Sequence, residues 1–380
     1  MIGMFAMIGQ IDGVPVVYQR PDSIDILFDD EAKRRLPRYF KILKGLALPK
    51  FLIAKLVEVE YDRSDGLEDL WKAHDEGLKE FYRLRDELSE SELIGLWKKA
   101  GEREKNLLML KRDVAWKVLE KCSFCEWRCG VNRFESNKGV CRLDKNAYIS
   151  TVFIHIGEEP ELVPSYTIFF SHCNFKCVFC QNWDISQFHS GNRIPPKTLA
   201  EAIEREWRDR RIRNTNWVGG EPTPNLHYIL DVLVELKDGP PVVWNTNFYA
   251  SLETMRILDG IVDIWLPDFK YGNNECAQKY SKIPKYFDVV SRNFKILSDK
   301  GEEVIIRHLI MPNHVECCTI PILTWIKENM DLSHVRLNLM DQYRPEYQAS
   351  KYPEITRRIK RSEWDTALKT AKELGISLTL

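Results

Sequence analysis

A loop with three closely spaced cysteines carries the most specific chemistry in this sequence. The stretch IFFSHCNFKCVFCQNWDIS, residues 168–186, places Cys173, Cys177 and Cys180 in the pattern CxxxCxxC directly after an apolar run. Three thiolates can bind three irons of a [4Fe–4S] cluster and leave the fourth iron open to another ligand. A structural zinc ion normally takes four ligands, and His172 is poorly placed as the fourth because it adjoins Cys173. The spacing therefore favours an iron–sulfur cluster with one open iron.

A second group of cysteines precedes this loop. The stretch CSFCEWRCGVNRFESNKGVC contains Cys122, Cys125, Cys129 and Cys141. Four thiolates in twenty residues make a complete set for one zinc ion or for an auxiliary iron–sulfur cluster, and both alternatives stay open. Zinc would stabilise this small module, whereas a cluster could relay electrons or bind substrate. The remaining cysteines, Cys276, Cys317 and Cys318, are expected to be buried or free thiols.

The elements that must position the three-cysteine loop follow a regular alternation. Short apolar segments alternate with amphipathic helical patterns between residues 163 and 345, which predicts consecutive βαβ units and a parallel sheet. The predicted strands lie within SYTIFFSH, NTNWVGGEP, PVVWNTN, IVDIWLPDFK, EEVIIRHLIM and HVRLNLMDQY. Six such strands predict an α/β fold with a partial (β/α)6 TIM-like barrel.

Unusual polar residues cluster where these strands end. Glu221 follows the second strand, Asn245 and Asn247 follow the third, Asp268 and Lys270 follow the fourth, and Arg307 lies in the fifth. In parallel α/β folds, binding sites form at the carboxyl ends of the strands. The cysteine loop, which follows the first strand, is therefore expected to face an active site built from these side chains.

The rest of the chain divides by pattern into further regions. Residues 1–120 read as a mostly helical region of unknown role, which begins with a short strand pair, and residues 121–150 form the four-cysteine module. The barrel core spans 163–345, and a helical extension spans 346–380. In the N-terminal region the apolar residues recur at helical spacing, which predicts a packed amphipathic face.

Composition and charge exclude several classes of protein. The net charge of −1 over 380 residues provides no general attraction to nucleic acid or to an acidic membrane. The basic run EREWRDRRIRN, residues 204–214, is expected to be a solvated helix face. No segment approaches the roughly 20 apolar residues of a membrane span, and the N-terminus lacks a positive region and a cleavage site. We expect a cytoplasmic protein that does not bind membranes or nucleic acid.

A CxxxCxxC loop directly after the first strand of a (β/α) barrel resembles the radical S-adenosylmethionine (SAM) superfamily. The resemblance implies that the amino and carboxylate groups of SAM chelate the open iron. It also implies that an electron from the reduced cluster cleaves SAM to methionine and a 5′-deoxyadenosyl radical, which abstracts hydrogen from a substrate. A reduced flavodoxin or ferredoxin is the expected electron donor.

The same resemblance extends to individual residues around the loop. Phe179 matches an aromatic residue near the adenine of SAM, and Gly219, Gly220 and Glu221 in GGEP match the motif that holds the SAM amino group. Asp268 and Lys270 in PDFK resemble a DLK-type motif, in which the acid meets ribose or a cation and the lysine meets the SAM carboxylate. Asn245 and Asn247 in NTN take the place of a DTN-like motif, and Asn245 departs from its aspartate. Arg307 is expected to contact SAM or substrate.

The segment 122–186 resembles the PflX-like group, which is related to pyruvate formate-lyase activating enzymes. This resemblance implies that the substrate could be a glycyl residue of a partner enzyme. The alternatives are radical modification of another peptide, of a small molecule or of a nucleic acid. A non-catalytic iron–sulfur electron carrier is a further alternative, but a carrier needs neither GGEP nor polar residues at successive strand ends.

Overall fold

The computed structural model describes residues 7–188 and 190–379 and contains a seven-stranded sheet. A separate antiparallel hairpin, the predicted strand pair, comes first, with β1 at Ile8–Ile11 and β2 at Val14–Val17. The sheet strands are β3 (Ile149–His155), β4 (Ser165–Phe170), β5 (Asn214–Gly219), β6 (Val242–Thr246), β7 (Ile264–Pro267), β8 (Val304–Leu309) and β9 (Val335–Met340). They are ordered sequentially, and β4 to β9 are parallel. The predicted α/β fold with six parallel strands is confirmed.

Strand β3 is an addition that the alternation of strands and helices did not indicate. It pairs antiparallel with β4 and forms one edge of the sheet. Its side chains alternate between more and less exposed positions, as expected for an edge strand with one covered face. The strand begins at Ile149, so the end of the four-cysteine region runs directly into the barrel sheet.

Seven α-helices lie between residue 7, where the described chain begins, and the four-cysteine module. They are α1 (Asp22–Asp25), α2 (Asp30–Arg35), α3 (Pro37–Leu43), α4 (Lys50–Leu56), α5 (Leu67–Glu87), α6 (Glu90–Ala100) and α7 (Leu107–Val118). The predicted amphipathic face of α5 is packed, since Leu70, His74 and Phe81 are buried.

The N-terminal region packs against the barrel in two places. The hairpin, α2 and α3 share a core cluster with barrel residues such as Val243, Ile264 and Ile305. Helices α4, α5 and α7 join the main core of the barrel. Because both clusters combine residues from the two regions, the N-terminal region is integrated with the barrel, burying apolar surface that would otherwise face water.

The helices that follow the strands surround the sheet. They are α8 (Trp183–Gln187), α9 (Pro196–Arg208), α10 (Leu226–Glu235), α11 (Leu252–Leu258), α12 (Asn274–Ser281), α13 (Tyr286–Asp299), α14 (Ile320–Asn329) and α15 (Arg361–Glu373). A π-helical turn, Val315–Thr319, leads into α14. Side chains cap the N-termini of several of these helices. Asn273, for example, accepts a hydrogen bond from the Cys276 amide at 2.8 Å and caps α12.

Two findings bear on membrane and nucleic-acid binding. Within the part of the chain that the structure describes, every helix is too short or too polar to cross a bilayer. The basic run at 204–214 is partly used internally: Arg213 is fully buried and donates to backbone carbonyls, including that of Pro15 at 2.7 Å. Arg211 pairs with Glu206 at 2.9 Å. The run is therefore less basic toward solvent than its sequence indicates.

Candidate active site at the carboxyl ends of the strands

One cavity collects the predicted site residues of the barrel. It lies at the carboxyl ends of the strands and encloses about 950 Å³ when the solvent-filled mouth is included. Twelve sequence-predicted residues line it: Cys173, Cys177, Phe179, Cys180, Gly219, Gly220, Glu221, Asn245, Asn247, Asp268, Lys270 and Arg307. Parallel register explains the convergence, because each strand ends at the same edge of the sheet.

The three-cysteine loop is held against the end of helix α12. The amide of Lys176 donates to the carbonyl of Ser281 at 3.1 Å, and the amide of Val178 donates to that of Tyr280 at 2.8 Å. These carbonyls belong to the last turn of α12, where backbone oxygens have no helical partner. The loop amides thus provide hydrogen-bond donors for the carbonyls at the end of the helix, and the helix in turn holds the loop in position.

Each thiol of the loop lies near a group that can donate a hydrogen bond to sulfur. The amide of Phe175 lies 3.3 Å from Cys173 Sγ, the Ser281 hydroxyl 2.9 Å from Cys177 Sγ, and the Ser186 hydroxyl 3.2 Å from Cys180 Sγ. Such donors stabilise thiolate ligands. Burial raises the pKa of Cys177 to about 12, so a bound metal must displace the thiol proton.

Glycines at the end of β5 allow two chain segments to meet. Gly219 has φ 119°, and a Cβ there would lie 2.1 Å from the backbone nitrogen of Phe170. A Cβ on Gly220 would lie 1.8 Å from the carbonyl oxygen of His172. Any side chain would push β5 away from the cysteine loop, so glycine is required for the close approach.

Glu221 is predicted, together with the local backbone, to accept from the SAM amino group, and the structure shows which protein groups its carboxylate contacts. It is 1% exposed, and its carboxylate accepts hydrogen bonds from the Thr223 hydroxyl at 2.6 Å and the Thr246 hydroxyl at 2.5 Å. The Asn247 amide donates to the other oxygen at 2.8 Å. Burial raises the pKa of Glu221, and these donors oppose the rise. The carboxylate therefore fastens the end of β5 to the end of β6.

Asn247 carries this connection on to the cysteine loop. Its side-chain nitrogen donates to Asn174 Oδ1 at 2.7 Å and lies 3.7 Å from Cys173 Sγ. Glu221, Asn247 and Cys173 are thus connected by consecutive contacts. The GGEP and NTN motifs support the same thiol.

A charged and polar wall lies opposite the loop. The Lys270 ammonium bonds Asp268 at 2.5 Å, and Arg307 donates to Asn245 Oδ1 at 3.2 Å. The side-chain nitrogen of Asn245 is buried and has no hydrogen-bond partner among the described residues. A buried donor of this kind is costly unless a ligand accepts from it. Its position in the cavity fits a ligand with an oxygen or nitrogen acceptor.

Phe179 contributes an aromatic surface to the same cavity. It is 5% exposed, and its ring centroid lies 5.8 Å from that of Tyr343 and 6.5 Å from that of Tyr271. Aromatic surfaces of this kind suit a flat ring such as adenine.

Two carboxylates near Arg307 were missed by the sequence analysis. Glu159 lies 3.4 Å and Glu158 3.8 Å from the Arg307 guanidinium, and Asn338 donates to Glu159 at 2.8 Å. Burial is the largest influence on both acids, and it raises the pKa of Glu159. For Glu158, the hydrogen bond from His155 and the charge of Arg307 together outweigh burial and hold the pKa below its usual value. The signal for this pair was the acidic GEEPE segment before the first parallel strand, which was not connected to the barrel interior.

The four cysteines of the N-terminal module converge on a second, small cavity. Arg133 lies in the same cavity wall, fully buried, with its guanidinium 4.0 Å from Cys122 Sγ. Its other hydrogen bonds go to backbone carbonyls of Asp144 and Pro224, and it has no ion pair with a carboxylate among the described residues. A buried cation needs a nearby negative charge. Metal-bound thiolates would supply that charge, so the residues fit a metal group.

Comparison with known proteins agrees with this arrangement. Residues 167–326 match the family model described as Radical SAM superfamily. Uncharacterized protein MJ0674 of Methanocaldococcus jannaschii is 46% identical over 351 residues, which cover 90% of this chain and 99% of that protein. Uncharacterized protein MJ0808 of the same organism is 30% identical over 148 residues, 37% of this chain and 41% of that protein.

Solved structures show more distant similarity. Streptococcus suis SuiB bound to precursor peptide SuiA has 18% identity and a TM-score of 0.43, covering 57% of this chain and 47% of that chain. A domain of pyruvate-formate lyase-activating enzyme from Bacteroides vulgatus has 16% identity and a TM-score of 0.36, covering 43% of this chain and 96% of that chain. Both TM-scores are below 0.5. Because the chain matches this family model and contains the CxxxCxxC loop, it belongs to the radical SAM superfamily and is an enzyme.

Proposed function

We propose that Cys173, Cys177 and Cys180 hold a [4Fe–4S] cluster and that the cavity beside them holds SAM, from which a radical is generated to abstract hydrogen from a substrate. The observation that carries this proposal is the convergence of the three thiols and the strand-end residues on one cavity. When bound, the reduced cluster supplies the electron that cleaves SAM to methionine and a 5′-deoxyadenosyl radical.

The chain's own residues bind and orient the two cofactors. Gly219 and Gly220 leave backbone close to the SAM amino group, and Glu221 fixes that backbone. Lys270 offers an ammonium to the SAM carboxylate, with Asp268 holding the lysine in place. The Asn245 amide offers its unpaired donor. Burial of Glu221 and Asn245, and partial burial of Lys270, strengthen these interactions because less water competes for them.

Phe179 and Arg307 complete the proposed SAM site. The Phe179 ring supplies a face for the adenine, and Arg307, held by Asn245 and Glu159, presents positive charge to SAM or substrate. A reduced flavodoxin or ferredoxin is the proposed electron donor.

We propose that Cys122, Cys125, Cys129 and Cys141 hold a second metal group, either one zinc ion or an auxiliary iron–sulfur cluster. The buried charge of Arg133 beside Cys122 supports thiolates at this position. Metal analysis distinguishes the two groups, since a cluster adds about four irons per chain and zinc adds none.

The substrate has two proposals that differ in class. The PflX-like resemblance favours a glycyl residue of a partner enzyme, and this stays a prediction. The alternative is radical modification of another peptide, of a small molecule or of a nucleic acid. Both require the same cavity and the same cofactors.

The decisive experiment is anaerobic reconstitution with iron and sulfide, followed by electron paramagnetic resonance of the reduced protein with and without SAM. We expect a [4Fe–4S]⁺ signal that changes when SAM is added, together with formation of 5′-deoxyadenosine. The Cys177→Ala variant should lose both and contain about four irons fewer per chain. Lys176→Ala changes an exposed neighbour in the same loop and serves as the matched control. A SAM-indifferent signal without 5′-deoxyadenosine would instead favour an electron carrier.

A further inference from the structure

A third group of metal-binding side chains lies outside both cysteine sets described above. Cys276 in α12, His314 before the π-helical turn and Cys317 within that turn place their ligand atoms within 4.8 Å of one another. Among the described residues no other three His, Cys, Asp or Glu side chains meet this criterion. The sequence analysis expected these cysteines to be buried or free thiols, so their convergence is a tertiary finding.

A fourth thiol lies beside this group. Cys318 Sγ is 3.9 Å from Cys317 Sγ, although Cys318 lies outside the group whose ligand atoms are all within 4.8 Å of one another. Zinc bonds sulfur at about 2.3 Å in a tetrahedron, which puts two ligand sulfurs about 3.8 Å apart. The observed separation is therefore already close to that of zinc-bound thiolates.

His314 is oriented as a metal-binding histidine would be. Its Nδ1 lies 2.7 Å from the carbonyl oxygen of Pro312, an acceptor only, so Nδ1 carries the proton. A backbone carbonyl at one ring nitrogen commonly fixes a histidine whose other nitrogen binds a metal. The ring is 6% exposed, so water does not readily supply a partner for the second nitrogen.

The Tyr280 hydroxyl beside Nε2 does not donate its proton to this nitrogen. Nε2 lies 3.0 Å from the Tyr280 hydroxyl, whose oxygen is also 2.6 Å from Glu354 Oε1. Tyrosine has one hydroxyl proton, and the shorter contact to a carboxylate takes it. The Nε2 lone pair is therefore left to the Cys276 thiol, whose proton a bound metal ion would replace.

We propose that Cys276, His314 and Cys317 bind one zinc ion, and that the neighbouring Cys318 thiol, which lies outside this group of three, turns toward the ion to become the fourth ligand. Three sulfurs and one imidazole nitrogen make a complete tetrahedral set, and soft thiolates favour zinc over hard cations. Each thiol that binds releases its proton to solvent, so binding weakens as the pH falls.

The ion would brace the three-cysteine loop of the active site. It joins α12 to the connection between β8 and α14, which are separate elements. Five residues after Cys276, at a rise of about 7.5 Å along the helix, Ser281 contacts Cys177 Sγ at 2.9 Å. Helix α12 also accepts two amides of the cysteine loop. Fixing one end of α12 thus fixes the residues that support Cys177.

Metal content of the full-length protein tests the proposal without reference to SAM cleavage. Cys276→Ser and Cys317→Ser should each contain one zinc less per chain than the wild type, with iron unchanged. Cys317 is exposed, so its substitution is the one least disruptive to folding. Glu316→Gln, an exposed change in the same turn, should keep the wild-type zinc content. Equal zinc in wild type and both cysteine variants, or loss of iron in place of zinc, overturns the proposal.

Alkylation provides a second readout that does not need a variant. In zinc-loaded protein Cys317 should react slowly with iodoacetamide despite its exposure, and removal of zinc by a chelator should increase the rate at least tenfold, as followed by peptide mass spectrometry. Fast modification of Cys276 and Cys317 before chelation would mean free thiols and overturns the zinc site. If zinc is present but no 5′-deoxyadenosine forms, the proposed radical chemistry fails while this site stands.

Discussion

The Trp127 indole nitrogen donates a hydrogen bond to the carbonyl oxygen of Asn174 at 2.9 Å. Trp127 belongs to the four-cysteine module, and Asn174 directly follows the first cysteine of the active-site loop. Burial raises the pKa of Cys125 to about 12, and the Asn174 side chain opposes this rise, which places the two close together. The two thiol sets are therefore adjacent and share a residue, so a change in one is expected to reach the other.

Trp127→Phe tests this connection. The variant keeps the aromatic packing against Tyr249 but loses the N–H donor to Asn174, a loss of about 1 kcal/mol. We expect 5′-deoxyadenosine formation to slow by about fivefold, because the loop that carries Cys173 is held less firmly. Iron and zinc content should not change.

The control for this substitution is Trp97→Phe in helix α6, which makes the same chemical change in another part of the N-terminal region. If Trp127→Phe cleaves SAM at the wild-type rate, the module and the loop are coupled less than their contact indicates.

Glu221→Gln should weaken SAM binding while leaving the iron content intact. The Thr223 and Thr246 hydroxyls donate to one carboxylate oxygen and the Asn247 amide donates to the other, so the glutamine NH₂ group removes the acceptor from one of these two sets. Leaving one buried donor without an acceptor costs about 1–3 kcal/mol, which corresponds to a roughly 5- to 150-fold higher Kd for SAM. Equilibrium binding of SAM under anaerobic conditions measures the effect.

Glu201→Gln, an exposed substitution on α9, provides the matched control and should bind SAM as the wild type does. Wild-type affinity in Glu221→Gln would show that the loop keeps its shape without the carboxylate.

Ser281→Ala removes the hydroxyl that lies 2.9 Å from Cys177 Sγ and 2.5 Å from the Tyr271 hydroxyl. A hydrogen bond to sulfur stabilises the reduced, more negative cluster. Losing about 1 kcal/mol of this stabilisation lowers a one-electron potential by roughly 40 mV. A redox titration followed by electron paramagnetic resonance should show this shift, with full iron content.

Ser291→Ala in helix α13 is the comparison for this variant, since its hydroxyl contacts only the helix backbone among the described residues. A potential equal to that of the wild type in Ser281→Ala would mean that the hydroxyl does not donate to the thiolate.

The pH dependence of stability should contain a contribution from Glu303, which accepts the amides of Arg38 at 2.6 Å and Tyr39 at 3.0 Å. Burial raises the pKa of Glu303 to about 7 from an unfolded value of 4.5. Because the folded state holds the proton more tightly, the stabilisation is complete below pH 4.5 and is lost as the pH rises through 7. The loss is on the order of 3 kcal/mol.

Glu303→Gln removes this titration and keeps one amide acceptor. The difference in thermal midpoint between wild type and variant should therefore change across pH 4.5–7.5, with the variant gaining relative stability at the upper end. Glu60→Gln, an exposed change, should follow the wild type throughout. A constant difference between Glu303→Gln and wild type would place the Glu303 titration outside this range.

The barrel and the outline of its site could be predicted because their signals are local. The CxxxCxxC spacing, the glycines of GGEP and the apolar strands lie in short segments, and parallel strands bring their ends to one edge. The sequence places Asp268, Lys270 and Arg307 in or directly after such strands, which was sufficient to predict that they lie together. In the structure they line one cavity with the cysteines. Strand β3 was not predicted because it pairs antiparallel with β4 and therefore falls outside the alternation of strands and helices from which the other strands were predicted.

The sequence by itself determined the superfamily, the fold class and the edge of the sheet at which chemistry takes place, since spacing and periodicity encode these locally. The tertiary structure decided the direction of each side chain. It turned the Glu221 carboxylate toward Thr223, Thr246 and Asn247, and it joined Trp127 to Asn174. It also brought Cys276 next to His314 and Cys317, which belong to separate elements. Such contacts depend on how helices pack against the sheet, and no spacing within a single element records that packing.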